Sequence, residues 1–225
     1  MSAGPPIHRC VALVLLVSSL PACDGADVGQ TRTAPTAVKA SAARPTASAR
    51  TSRPPLATAS PRGEVATKAK IDAIMPTLRA MAADETVVEA VRTQNAKRVP
   101  LEQIKKLDGD WRGATGVADF MKVYLDNDAS KALRKHAAAN KAINEAFAMD
   151  DQGAIVATTS RTSDYWQGDE EKWSKSFDGG RGAEFIDKAS FDESTQSYSV
   201  QVSIPVMTND QAIGALTIGV SLDQL

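Results

Sequence analysis

Residues 196–222 read "QSYSVQVSIPVMTNDQAIGALTIGVSL", and this stretch decides the fold. Tyr198, Val200, Val202 and Ile204 alternate with Ser197, Ser199, Gln201 and Ser203, which places the two sets on opposite faces of one strand. "TNDQ", Thr208 to Gln211, turns the chain, and "AIGALTIGVSL" returns as a partner strand. One face of the pair is apolar and the other carries hydroxyls and an amide. A sheet of this kind covers its apolar face with helices, so helices must come from elsewhere in the chain.

They lie upstream. From Glu64 to about Asn95 the apolar residues Ile71, Ile74, Leu78, Met81, Val88 and Val91 recur at steps of three and four. Pro76 falls inside that pattern and predicts a kink or a split there. Pro100 is placed as the first residue of a new helix, with Leu101, Ile104 and Leu107 on one face. Val117, Phe120, Met121, Tyr124 and Leu125 form a third amphipathic set, and a short helix from Ala129 to Asn140 follows. Trp111 reads as core between helices. Then "NEAFAMDDQGAIVATTS", Asn144 to Ser160, gives two apolar runs around Asp150-Asp151-Gln152-Gly153, a β-hairpin signal. The fold class is α+β, an N-terminal long helix and further helices packed on an antiparallel sheet.

Between that hairpin and the long strand stands "TSDYWQGDEEKW", Thr162 to Trp173. It holds two of the three tryptophans of the chain and one of its three tyrosines, among five charged side chains. Asp169 is placed to cap a short helix with Glu170, Glu171 and Trp173 in its first turns. Gly179, Gly180 and Gly182 end it, and Ala183 to Ile186 reads as a short strand. Aromatic faces beside carboxylates suit a small cationic or amphipathic ligand. The same rings also suit a small second core, with the acids capping helices and solvating turns.

The N-terminus sets the compartment. Arg9 precedes the apolar run "CVALVLLVSSL", Cys10 to Leu20, which is too short to span a bilayer stably. This predicts a signal peptide over 1–22. "LPAC", ending at Cys23, resembles the lipobox of bacterial lipoproteins, with Pro21 a departure at the second position. Cys10 leaves with the signal, so the mature chain forms no internal disulfide and Cys23 is either lipidated or a free thiol. Residues 23–62 then read as a lipid-bearing cysteine and a disordered tether of Ala, Thr, Ser and Pro. Thr31 to Arg62 carries six basic residues and no acidic one, which suits an anionic membrane surface as well as a plain soluble spacer. Residues 63–225 carry nineteen basic and twenty-five acidic residues, a balance that argues against nucleic acid as a partner. That span has the size of one domain.

Catalytic signatures are missing. There is no Gly-x-Ser-x-Gly, no phosphate loop, and His136 is the one histidine beyond the signal region. The sequence reads as no enzyme, with no cofactor and no metal site built on histidine or thiolate.

Taken together, "FAMDDQGAIVATT", the aromatic excursion, "FDES", "YSVQVSIPV" and "AIGALTIGVSLDQL" resemble a Cache domain, the PAS-like extracytoplasmic sensor module of bacterial chemoreceptors and sensor kinases. The resemblance covers about 64–225 and is most specific over 147–222, with the strand end Ile204-Pro205-Val206 and the Gly-containing Ile213-Gly214-Ala215-Leu216. It implies a PAS-like sheet backed by the long helix, with ligand between the sheet and the excursion. By the same resemblance the ligand-binding residues are Tyr165, Trp166, Asp169, Trp173, Asp187, Asp192 and Tyr198. The amine-binding pattern has an Arg directly before its Trp, and here that place holds Lys172. The implied function is a periplasm-facing, membrane-anchored sensor of an amine or other small polar metabolite. With Leu225 close behind the last strand, the signal passes to a separate chemoreceptor or sensor kinase, and the N-terminal helix offers a homodimer face. The other reading is an envelope interaction or dimerisation scaffold that keeps the fold without a ligand.

Overall fold

The structure, a computed structural model, describes residues 61–192 and 197–225, without the side chains of 61–66 and Asp192. Residues 1–60, where the expected signal peptide, Cys23 and most of the expected tether fall, lie outside the described residues, and Pro61 and Arg62, expected in the tether, begin α1. Two helices come first, α1 (Pro61–Ala82) and α2 (Glu85–Ala96), then α3 (Leu101–Gly113), the single-turn α4 (Lys122–Leu125) and α5 (Asp128–Ala139). The strands are β1 (Ile143–Met149), β2 (Ile155–Thr158), β3 (Phe185–Ile186), β4 (Ser190–Asp192), β5 (Ser197–Thr208) and β6 (Gln211–Ser221), with α6 (Glu171–Phe177) between β2 and β3. The sheet order is β2-β1-β6-β5-β3, β4 also pairs with β5, and every pairing is antiparallel. Asn209 and Asp210, both with positive φ, make the tight turn between β5 and β6.

The apolar face is the one the alternation predicts. Val200, Val202, Ile204 and Val206 of β5 lie with Leu216, Ile218 and Val220 of β6 in one core with Ile71, Leu78 and Met81 of α1, Val87 and Val91 of α2, and Leu133 of α5. Each such side chain, fully buried, contributes about 1.5–3 kcal/mol relative to exposure. The α+β architecture expected from sequence is the one observed.

Four local expectations are corrected. The first helix does not break at Pro76, which lies on the exposed side of α1; it runs on to Ala82. The break comes at Asp84, whose carboxylate accepts the Thr86 N–H and caps α2, and whose other oxygen lies 3.0 Å from His136 Nε2 of α5. Second, α3 starts at Leu101 with Pro100 as its cap position, and it presents Ile104, Asp108 and Trp111 inward while Leu101 is exposed. Third, residues 117–125 form a short 3-10 turn and α4, with Met121 and Leu125 buried and Val117 and Phe120 exposed. Asn127 stops α4 early, because its side chain donates to Val123 and Val156 carbonyls and accepts the Ser130 N–H to start α5. Fourth, Glu170, not Asp169, occupies the cap position of α6, since the Glu170 carbonyl accepts from Trp173 and Ser174. Among the described residues no helix is long and apolar enough to cross a membrane.

Candidate functional site

The aromatic excursion is fastened to the domain by its backbone and its indoles. Asp108 of α3 is the first anchor: one carboxylate oxygen accepts the Tyr165 and Trp166 N–H groups at 2.9 and 3.1 Å, while Arg112 holds the other at 3.0 Å. Every tryptophan indole donates to a backbone carbonyl: Trp111 to Thr162, Trp166 to Gln152 and Trp173 to Asp150. Trp111 and Tyr165 are fully buried, and Trp166 and Trp173 pack against the same second core with Phe147, Met149 and Ile155. Tyr165 packs at tilted angles against Trp111 and Tyr124, at 5.7 and 5.0 Å between centroids. Burial and the neighbouring Tyr124 push its phenol up, out of reach of physiological titration.

Below α6 the sheet turns its polar face toward the excursion. Phe147 of β1, Thr217 of β6, Ser203 of β5 and Phe185 of β3 pair in register and form one row across four strands. Ser203 and Thr217 are fully buried and share a 2.8 Å hydrogen bond. Helix α6 packs over β5 and β6 and marks the two ends of the row with cations. Lys172 Nζ sits 5.3 Å from the Phe147 ring centre and Lys175 Nζ 4.7 Å from that of Phe185. Trp173 lies between those two lysines along the helix, with its indole on the Asp150 carbonyl, and the buried Ser176 follows Lys175. Ser176 Oγ has no hydrogen-bond partner among the described residues. The Lys172 side chain is only 12% exposed and pairs with Glu170 at 2.9 Å.

The adjacent row is also polar. Glu145 of β1 and Gln201 of β5 flank Gly219 of β6, and the Gln201 amide donates to Glu145 across it at 3.2 Å. A Cβ at 219 would come within 2.7 Å of Glu145 Cγ, so glycine is what lets the two side chains meet. The Asp187 N–H continues the row by donating to the Gln201 carbonyl.

Of the residues singled out from sequence, Tyr165, Trp166 and Trp173 share the second core, and Asp169 is exposed beside it. Asp187 is exposed at the β3 end of the polar face. Tyr198 lies elsewhere, in the core on the helix-covered face, with its ring edge-on to Phe191 at 5.1 Å. The Asp192 side chain lies outside the described residues. The structure therefore does not gather these seven residues around one point. Sequence reading passed over Glu145, Lys172, Ser176, Gln201, Ser203 and Thr217 as a group. The signal available was the second, hydroxyl-bearing face of β5, which looks like an ordinary solvated face until α6 is seen to cover it.

Two hollows lie away from this face. One of about 460 Å³ lies between α2 and α5, over Val156. Another of about 570 Å³ is bordered by Arg92, Asn95, Arg98, Asp151 and Gln152, beside the β1–β2 turn. Among the described residues no group of three or more His, Cys, Asp or Glu side chains is placed to hold a metal ion.

No family model matches the chain, and no curated protein matches it. Among solved structures it is similar to the sensor domain of the histidine kinase DctB of V. cholerae, with a TM-score of 0.40 and 10% identity over 71% of this chain and 54% of that one. It is also similar to the ligand-binding domain of the Campylobacter jejuni chemoreceptor Tlp3 in complex with 4-methylisoleucine (TM-score 0.34, 14% identity, 73% of this chain and 62% of that one). A third is the ligand-binding domain of the Pseudomonas aeruginosa PAO1 amino acid chemoreceptor PctC in complex with GABA (TM-score 0.35, 10% identity, 61% and 58%). This chain spans between 54% and 62% of the length of these three solved chains. Each of the three is named as a sensor or ligand-binding domain.

Proposed function

We propose that this chain is an extracytoplasmic sensor module that holds a small polar metabolite between α6 and the sheet. The observation that carries the reading is the buried polar row. At Ser176, whose buried hydroxyl has no partner among the described residues, a purely structural interface would favour an apolar side chain, because such a hydroxyl costs free energy. Ser203 and Thr217, which bond each other, add two more buried hydroxyls on the facing strands. Lys172 offers a positive charge and Glu145, Glu170 and Asp187 offer negative ones, so the face suits an amine or another small polar molecule with charge of either sign. Lipid attachment at Cys23, a periplasm-facing position, a homodimer through α1 and a separate chemoreceptor or sensor kinase partner belong to the same proposal. "LPAC" and the basic residues of 31–62 support the lipid attachment and the membrane-side position.

A second reading has its own observation. All three indole N–H groups are spent on backbone carbonyls, as expected of a scaffold whose aromatic cluster is its own core. A thermal-shift screen of the full chain against amines, amino acids, carboxylates and purines separates the two. A ligand at a hundred times its dissociation constant adds about 2.7 kcal/mol, a rise in Tm of about 5–11 °C for a domain this size. A rise of that order with one class is the expected result. No shift with any class would leave the interaction scaffold as the better account.

A further inference from the structure

The β1–β2 turn, Asp150 to Gly153, is tied to the excursion and α6 on one side and to the end of α2 on the other. Its carbonyls receive the indoles of Trp173 and Trp166, and the Gly153 carbonyl receives the Gln167 N–H at 2.8 Å. Gly153, at φ +82°, packs so closely on Gly168 that a Cβ would overlap the Gly168 backbone. These contacts bind the turn to the excursion and α6. On the opposite side the Asp151 N–H donates to Asn95 at the end of α2, and Asn95 in turn donates to the Ile213 carbonyl of β6 at 2.7 Å. Gln152 donates to the Val99 carbonyl beyond α2. At the centre one oxygen of the buried Asp150 carboxylate accepts the Gln152 and Ala154 N–H groups at 2.9 Å each.

We propose that this turn is a proton-responsive coupling element that links α6 and the excursion to the C-terminal end of α2, with the Asp150 carboxyl as its titrating group. The chemistry follows from the partners. As a carboxylate, Asp150 accepts two N–H groups of its own turn on one oxygen. Once protonated it is a neutral and weaker acceptor, so proton uptake loosens the turn whose carbonyls receive the Trp166 and Trp173 indoles and whose other side is tied to Asn95 of α2. The charged groups around the site are few. Asp151 on the same turn disfavours the ionised form, the Tyr165 phenol approaches from the excursion, Lys97 stands behind Gln94, and Arg98 faces Asp151 from the loop after α2. Burial pushes Asp150 up to about 6, against its N–H donors. The folded state therefore binds more protons than the unfolded chain between about pH 4 and 6, and the stabilisation present in acid is lost as pH rises through about 6. The adjoining hollow, bordered by Asp151 and Gln152, gives water a route to the turn.

The test is an NMR titration of the full chain from pH 8 to 4.5, following the three indole N–H resonances. Trp166 and Trp173 should shift with a common midpoint near 6, while Trp111, bonded to Thr162 away from the turn, stays in place. Asp150→Asn should abolish the transition. Asp151→Asn should lower its midpoint, and it carries the test alone if Asp150→Asn does not fold. The proposal is overturned if the Trp166 and Trp173 resonances do not titrate between pH 5 and 7, or titrate unchanged in Asp150→Asn. An unshifted midpoint in Asp151→Asn would equally overturn it. The titrant is the proton, so the result does not depend on whether a metabolite binds beneath α6.

Discussion

Trp111→Ala is expected to cost about 3–5 kcal/mol, which lowers Tm by about 6–20 °C in a thermal melt of a domain this size. The ring is fully buried and touches three aromatic neighbours, Phe120 at 6.3 Å, Tyr124 at 6.0 Å and Tyr165 at 5.7 Å. Truncation leaves a cavity among them that the short α4 cannot fill by collapse. It also strips the Thr162 carbonyl of its donor at the point where the excursion leaves β2. Near-ultraviolet circular dichroism should lose intensity beyond the share of one indole, because Tyr124 and Tyr165 lose their packing. A loss under 1 kcal/mol would mean that the second core does not hold the excursion.

Gly214→Ala should be as damaging for the opposite reason. In β6 a Cβ at 214 would overlap the Met149 carbonyl oxygen of β1 and come within 2.9 Å of Val91 Cγ1 of α2. Neither neighbour is a flexible side-chain end. To admit the methyl, β1 must separate from β6 or α2 must lift from the sheet, and we expect a cost of about 3 kcal/mol or more in urea unfolding. Gly109→Ala serves as the control. Gly109 lies in α3 with open space where its Cβ would go, so alanine there should stabilise by about 0.5–1 kcal/mol. Equal effects at the two positions would contradict the close packing of β1, β6 and α2.

The contrast between these glycines shows where sequence reading stops. The period-two pattern from Tyr198 to Ile204 and the Asp150–Gly153 turn were legible because each is a local rule: alternation assigns faces, and turn chemistry ends strands. Helix spacing gave the helical layer for the same reason. What local rules miss is rotation and register. Ile104, Leu107 and Trp111 share the core-facing side of α3 at steps of three and four, as sequence reading has them. Asp108, however, is buried on that same side because the excursion fifty residues away needs an acceptor for two backbone N–H groups. No spacing within α3 announces that demand. The polar row is hidden in the same way. Phe147, Thr217, Ser203 and Phe185 become neighbours only once three strand pairings are in register, and Glu145 meets Gln201 only because residue 219 has no side chain.

That row is also where the central claim can be tested most directly. Ser203→Ala combined with Thr217→Val removes both partners of a buried hydrogen bond together, so it should leave the melting transition cooperative and nearly unmoved. Calorimetric titration of the metabolite that the thermal screen identifies, into the wild-type chain and this double variant, reads the site alone. Affinity reduced at least about tenfold, equivalent to about 1.4 kcal/mol, is the result predicted for a ligand seated beneath α6. Unchanged affinity in a variant that still folds would place the ligand elsewhere and contradict the account.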